Sequence, residues 1–176
     1  MSGIEIIPLS AIGEVAPGED LVATLADAVA SAGTRLGRGD ILVVTQTIVS
    51  KAEGRSVALA DVVPGAEAQR LAELTRKDAR LVELVLRKSI AVLRAVPHVL
   101  IVRHRLGLVM ANAGIDRSNI GAGSNDRALL LPIDPDASAA RICAALGCPV
   151  VISDSFGRPW RMGVVAVGIG VAGFPP

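Results

Sequence analysis

Two aliphatic runs in this chain stop at a carboxylate. Ala113-Gly114-Ile115-Asp116-Arg117-Ser118-Asn119 and Ile152-Ser153-Asp154-Ser155-Phe156-Gly157-Arg158 each place an Asp in apolar, glycine-containing surroundings with a small hydroxyl residue close behind. A strand that ends this way carries an anionic oxygen to the margin of a sheet. There a hard cation and a phosphate can be gathered. Two such ends in one small chain point to a shared site and to a fold in which strands deliver chemistry to one edge.

With 176 residues the chain is long enough for a single domain with a real core. That core must be aliphatic, because 51% of residues are hydrophobic and only 2% aromatic, with Trp160 the single Trp and no Tyr. By the same count, aromatic platforms for stacking nucleic-acid bases are not expected. The formal net charge of +1 predicts no general attraction to nucleic acid or to an anionic membrane, so any phosphate recognition is local. Cys143 and Cys148 lack CxxC spacing and read as idle thiols. The N-terminal residues lack a basic segment followed by a long apolar one, and residues 164–174 are too short and too glycine-rich to span a bilayer. A cytoplasmic protein is expected.

Along the chain, Ile4-Glu5-Ile6-Ile7 predicts a short strand. Asp20 predicts the cap of a helix over residues 21–32 that Gly33 stops. Ile41-Leu42-Val43-Val44 reads as a strand buried on both faces. An apolar stripe through Leu71, Leu74, Leu81, Leu84 and Val85 predicts helix between residues 66 and 89. Further strands are expected at 99–102, 108–110, 149–152 and 164–171, and a helix over 137–146 capped by Asp136. Strands and helices alternate without a repeated βαβ rhythm. The expected class is therefore a mixed α/β or α+β domain rather than a doubly wound sheet.

Asp116 and Asp154 are the leading candidates for a divalent ion, since magnesium and manganese prefer carboxylate oxygen and keep positions open for water and phosphate. Asp also commonly caps a turn after a strand, and spacing alone weighs the two readings about evenly. Ser155 offers a hydroxyl ligand and Asn119 a hydrogen bond to a nucleotide, with Ser118 and Gly121 shaping the loop; turn formation explains these equally well. Lys51 follows the hydroxyl-rich segment Thr45-Gln46-Thr47-Ile48-Val49-Ser50, where an ammonium can meet phosphate as a point charge, or simply be solvated. Gln46 and Thr47 suit the same phosphates or a base edge, unless residues 45–49 form an edge strand. Arg55, Arg158 and Arg161 are possible forks for an oxyanion. His98 and His104 lie near strand ends, away from any Ser or Cys nucleophile, and suit capping roles. No Walker P-loop is present.

Taken in order, four segments resemble the GTP-dependent glutamate ligases that complete the deazaflavin coenzyme F420. They are residues 40–55 with Thr45-Gln46-Thr47-Ile48-Val49-Ser50-Lys51-Ala52-Glu53-Gly54-Arg55, residues 112–119 with Asn112-Ala113-Gly114-Ile115-Asp116, residues 130–139 with Pro132-Ile133-Asp134-Pro135-Asp136, and residues 152–161 with Asp154-Ser155-Phe156-Gly157-Arg158-Pro159-Trp160-Arg161. The early Pro17-Gly18-Glu19-Asp20-Leu21 fits as well, so the resemblance covers essentially the whole chain.

The resemblance implies a family-specific mixed α/β fold, an intertwined homodimer, and addition of L-glutamate to the lactyl carboxylate of F420-0, with possible γ-linked extension. GTP would activate that carboxylate as an acyl phosphate. Two divalent ions, Mg2+ or Mn2+, would clamp the triphosphate, and K+ enters by analogy alone. Carried over by motif, Asp116 and Asp154 would hold one divalent ion and Ser155 would help hold the second. Lys51, Gln46, Thr47 and Asn119 would face the nucleotide, as would the backbone of Ser10, Ala11, Ile12 and Gly13. Family members continue through a further helical and strand region that adds metal and nucleotide contacts. This chain is expected to lack it and to have an incomplete second metal position. The alternatives are a non-catalytic, dimerising remnant with weak nucleotide binding, or a related ligase acting on a different carboxylate.

Overall fold

The computed structural model describes residues 3–37, 39–118, 126–157 and 162–174. In chain order its elements are α1 (Leu21–Ser31), β1 (Leu42–Thr45), α2 (Gln46–Ala52), β2 (Ser56–Ala58), α3 (Ala66–Thr75) and α4 (Ala79–Lys88). There follow β3 (Ser89–Val96), β4 (Val99–His104), β5 (Val109–Ala111), β6 (Arg127–Leu129), α5 (Pro135–Leu146), β7 (Val150–Gly157) and β8 (Val164–Ala172). Helices and sheets are interspersed, as expected for a mixed α/β chain. Among the described residues no helix is long and apolar enough to cross a membrane.

The chain divides into two compact units. The first comprises residues 1–54, 132–153 and 168–176, the second residues 55–131 and 154–167.

The first unit is built on a parallel pair, with Leu42–Thr45 of β1 in register with Val150–Ser153 of β7, and β8 is the next strand in the sheet. Its core gathers Leu25, Val44, Val49, Ile142, Val150 and Ile152, an aliphatic set without an aromatic ring. Asp20 caps α1 by accepting from the Val22 and Ala23 N–H groups at 3.1 and 3.2 Å, as its position predicts. β1 is covered on one face only, however. Leu42 and Val44 are buried while Ile41 and Val43 are 54% and 62% exposed. The cap of α5 is Asp134, not Asp136: Asp134 accepts from the Ala137 N–H at 2.9 Å, and Pro135 occupies the first helical turn, where a missing N–H costs nothing. Asp136 instead accepts from the Val171 N–H at 2.8 Å and ties α5 to β8. The expected strand at residues 4–7 is not formed. Ile4 and Ile6 are 96% and 88% exposed, so alternation without a partner strand gives no pairing.

The second unit holds the antiparallel sheet β3-β4-β5 and the antiparallel pair β2-β6. One cluster packs Ala68, Leu71, Val82 and Val85 against Leu100 and Val102, and a second joins Leu59, Leu84, Ala128 and Leu130. The single helix expected over residues 66–89 is two helices. Arg76 takes a left-handed conformation (φ 55°) that ends α3, and Asp78 starts α4 by accepting from the Arg80 N–H at 2.8 Å. Leu74 lies off the buried face of α3 and is 44% exposed. β3 follows α4 without an intervening loop, which hides its strand pattern behind the basic end of the helix.

Candidate functional site

In the second unit, Asp116 follows a tight left-handed turn. Asn112, Ala113 and Gly114 have φ values of 51°, 55° and 67°. An added Cβ at Gly114 would lie 2.9 Å from a methyl of Leu131, so a side chain there is strained by the backbone conformation and must displace Leu131. The turn leaves Asn112 Oδ1 buried with no hydrogen-bond partner. Asp116 is then locked by two backbone bonds to Leu129, at 3.0 and 2.9 Å. Its Oδ1 accepts from both the N–H and the hydroxyl of Ser118, at 2.7 and 2.6 Å. This is an Asx turn, so the capping reading of Asp116 holds as a matter of geometry.

Asp154 lies within β7, which continues past the expected strand end to Gly157. Its Oδ1 accepts from the Ser155 N–H at 2.8 Å. Burial pushes its carboxyl above the usual aspartate range, the Ser155 N–H opposes that shift, and the negative charge of Asp116 adds to it. The structure therefore brings Asp116 and Asp154 within electrostatic reach of each other, the condition under which a cation between them is favourable. Ser155 is exposed beside Asp154. Among the described residues no cluster of three or more His, Cys, Asp or Glu side chains forms. The donor set is thus two carboxylates and a hydroxyl, which suits a hard ion that keeps several water ligands and does not suit a closed zinc site. Asn119, Gly121, Arg158, Trp160 and Arg161 lie outside the described residues.

In the first unit, the segment after β1 is helical. Thr45 caps α2 through its hydroxyl, 3.4 Å from the Thr47 N–H, which removes the edge-strand reading of residues 45–49. Gln46 is only 4% exposed, and its Oε1 accepts from Ser50 at 2.9 Å. Thr47 is half-buried and adjacent. Lys51, on the same helix, donates to Glu14 at 2.6 Å. Glu14 directly follows the segment Ser10, Ala11, Ile12 and Gly13, in which Ile12 packs against the unit's core while the other three are exposed. This unit thus assembles the residue 10–13 loop beside α2, with the ammonium of Lys51 and an exposed run of backbone.

Glu14 has no distinguishing signal in the sequence beyond its charge, and Glu53 enters only as part of the segment 40–55. Glu53 accepts from the Ser138 hydroxyl, from Arg141 at 3.3 Å and from the Ile133 N–H at 3.3 Å, so it fastens α5 to the end of α2. A hollow of about 310 Å³ in this unit is lined by Glu19, Asp20, Val49, Glu53, Ser138 and Arg141 among others. None of Gln46, Thr47 or Lys51 lines it, and its carboxylates already accept hydrogen bonds that cap α1 or fasten α5, so it adds no candidate for chemistry. Cys143 and Cys148 are free, and burial raises the Cys148 thiol, in keeping with an idle sulfur. His104 is buried at a strand end and its Nδ1 accepts from the Leu106 N–H at 3.0 Å, a capping role as expected.

The family described as F420-0:Gamma-glutamyl ligase matches residues 11–176. Coenzyme F420:L-glutamate ligase of Methanothermobacter thermautotrophicus is 41% identical over 180 residues, covering 99% of this chain and 70% of that protein. The enzymes of the same name from Methanopyrus kandleri and Natronomonas pharaonis are 40% and 43% identical, each over 98% of this chain and 67% of their own length. The shared stretch includes both carboxylate-bearing segments and the Lys51 helix, and the chain belongs to the F420-0:gamma-glutamyl ligase family.

Proposed function

We propose that the chain acts as a ligase that adds L-glutamate to the lactyl carboxylate of F420-0, using GTP. The observation that carries this reading is family membership across residues 11–176 together with the electrostatic pairing of Asp116 and Asp154 within one unit.

In this reading Asp116 and Asp154 hold a divalent ion, Mg2+ or Mn2+, and Ser155 offers its hydroxyl to a second. Such ions neutralise the charge that builds on a transferring phosphoryl group. The residue 10–13 loop presents backbone N–H groups to the nucleotide, with Lys51 as a point charge and Thr47 as a hydroxyl donor. Lys51 must then exchange Glu14 for phosphate, an exchange made easy by the 68% exposure of the Glu14 side chain. Gln46 acts from behind by fixing the start of α2 through Ser50. The acceptor carboxylate oxygen attacks the γ-phosphorus and GDP departs. The amine of glutamate then attacks the acyl carbon, phosphate leaves, and the amine loses its proton.

A homodimer belongs to the same proposal. It is supported by apolar residues left outward in the second unit, Ile90 and Leu93 on the edge strand β3 and Val164 on β8, which are 63%, 48% and 63% exposed. The reading places the reaction in the cytoplasm, where GTP is supplied.

Mass spectrometry of reactions containing F420-0, L-glutamate, GTP and Mn2+ tests it. A product heavier by one glutamyl residue is expected only when all components are present, and Asp116→Asn or Asp154→Asn should reduce it at least 100-fold. Full turnover by either variant would remove the site assignment, and no product from the native chain would remove the ligase reading.

A further inference from the structure

Three stretches of the first unit carry the family resemblance without a part in the proposed phosphoryl chemistry: Pro17-Gly18-Glu19-Asp20-Leu21, the end of the segment 40–55, and residues 132–139. They meet around the hollow of about 310 Å³. Glu19 and Asp20 come to it from the start of α1, Glu53 from the end of α2, and Ser138 and Arg141 from α5, with Val49 and Ile142 as apolar lining. A second hollow, of about 370 Å³, is lined by Ile133 and Asp134 and shares Glu53, Ser138 and Arg141 with the first.

The three shared side chains form one network. Glu53 Oε1 accepts from the Ser138 hydroxyl and from Arg141 Nη2 at 3.3 Å, and Nη2 also lies 3.0 Å from Ser138 Oγ. Ser138 is only 2% exposed, so the network is anchored in the core, whereas the Arg141 side chain is 65% exposed and can be reached from both hollows. Fastening α5 uses one nitrogen of the guanidinium. Nε and Nη1 donate to no group among the described residues. Asp20 likewise makes both of its capping bonds through Oδ1, and its Oδ2 accepts from no group among the described residues. The hollow thus presents unused donors on a held cation and an unused acceptor on a carboxylate. Neither is needed for the caps or for the seat of α5.

We propose that this hollow binds a free α-amino acid, with its carboxylate on the Arg141 guanidinium and its ammonium on Asp20 and Glu19. A planar fork that is already held in place suits a carboxylate, and carboxylate oxygens with spare lone pairs suit an ammonium. The volume lies at the small end of ligand hollows, which run from about 300 to 1,000 Å³, and so suits an amino acid better than a nucleotide. The second hollow borders the same Arg141 and gives a side chain room to extend. The role is recognition, with no acid–base step assigned to the lining carboxylates. Naming the amino acid as L-glutamate rests on the ligase reading, in which it is the incoming amine.

The full chain is titrated in a calorimeter with L-glutamate, with glutarate, which lacks the amine, and with 1,4-diaminobutane, which lacks both carboxylates. The hollow is preformed, so saturable binding of L-glutamate is expected without GTP or metal, about 10-fold or more tighter than either partial ligand. Arg141→Gln should weaken L-glutamate about 10-fold or more, and Arg141→Lys should recover part of the loss. Asp20→Asn, which keeps a capping side chain at the start of α1, should weaken L-glutamate and leave glutarate unchanged. Arg70→Gln, which removes a guanidinium paired with Glu67 at 2.7 Å, should change nothing. No saturable binding of L-glutamate, or binding that Arg141→Gln and Asp20→Asn both leave intact, overturns the proposal. So does glutarate binding as tightly as L-glutamate, which would make Arg141 a simple anion contact. L-Glutamate binding that is lost in Arg141→Gln, in a chain that never ligates glutamate, keeps the site and rejects the ligase reading. Ligation whose KM for L-glutamate is unchanged in Arg141→Gln does the reverse.

Discussion

Asp154 titrates above the ordinary aspartate range because it is half-buried and because Asp116 stands near enough for its charge to be felt. Replacing Asp116 with Asn removes the second cause and leaves the first. The Asp154 pKa should therefore fall in Asp116→Asn while staying above that of an exposed aspartate, as a 13C titration of side-chain carboxyl signals will report. An unchanged value would mean that the two carboxylates do not form a pair.

The same shift has a consequence for stability. A carboxyl whose folded pKa is raised favours the fold below its unfolded pKa, near 3.9, and that contribution is lost as pH rises through the folded value. At pH 7 the half-buried negative charge of Asp154 therefore opposes folding. Asp154→Asn should raise the denaturant midpoint at pH 7, with the gain shrinking at about pH 3.5, while abolishing the proposed binding of Mn2+. Such opposition between stability and a charged site is what a cation-binding carboxylate entails. A lower midpoint at pH 7 would show that Asp154 is held by attractions stronger than its burial.

Much of this was legible from residue order alone, and the exceptions have physical reasons. The caps and stops at Asp20 and Gly33 act through local hydrogen bonds and φ preference, which sequence records directly. The two carboxylates were visible because each interrupts an aliphatic run. The break between α3 and α4 was hidden, since Arg76 adopts a left-handed conformation that its residue type does not advertise. The strand pattern of Ile4-Glu5-Ile6-Ile7 misled because alternation specifies a face and not a partner.

His104 gives the chain a second pH dependence, of opposite sign. Burial, then the charges of Lys88 and Arg105, lower its pKa, and its Nδ1 must stay unprotonated to accept from Leu106. Its contribution to stability is fully present above the unfolded value of about 6.5 and is lost as pH falls below it, because the unfolded chain takes the proton first. The denaturant midpoint should drop between pH 7.5 and 5.5, and His104→Gln should flatten that drop. An equal drop in the variant would assign the pH dependence to another group.

Close approach of backbone explains one glycine of β8 and predicts the effect of filling it. A Cβ on Gly170 would strike the carbonyl carbon, Cβ and oxygen of Pro135, in the first turn of α5. Pro135 has little room to yield, since its ring fixes φ and Asp136 beside it holds the Val171 N–H at 2.8 Å. Either β8 or the start of α5 must move, at a cost of about 1–3 kcal/mol or more. Gly168, in the same strand, is different: its added Cβ would rest 3.4 Å from Val151, an ordinary contact. Gly170→Ala should thus lower the unfolding free energy by about 2 kcal/mol or more, while Gly168→Ala stays within about 0.5 kcal/mol of the native chain. Equal effects from the two substitutions, measured by urea unfolding, would mean that the strand tolerates a methyl at either position and that β8 is not seated on α5 at Pro135.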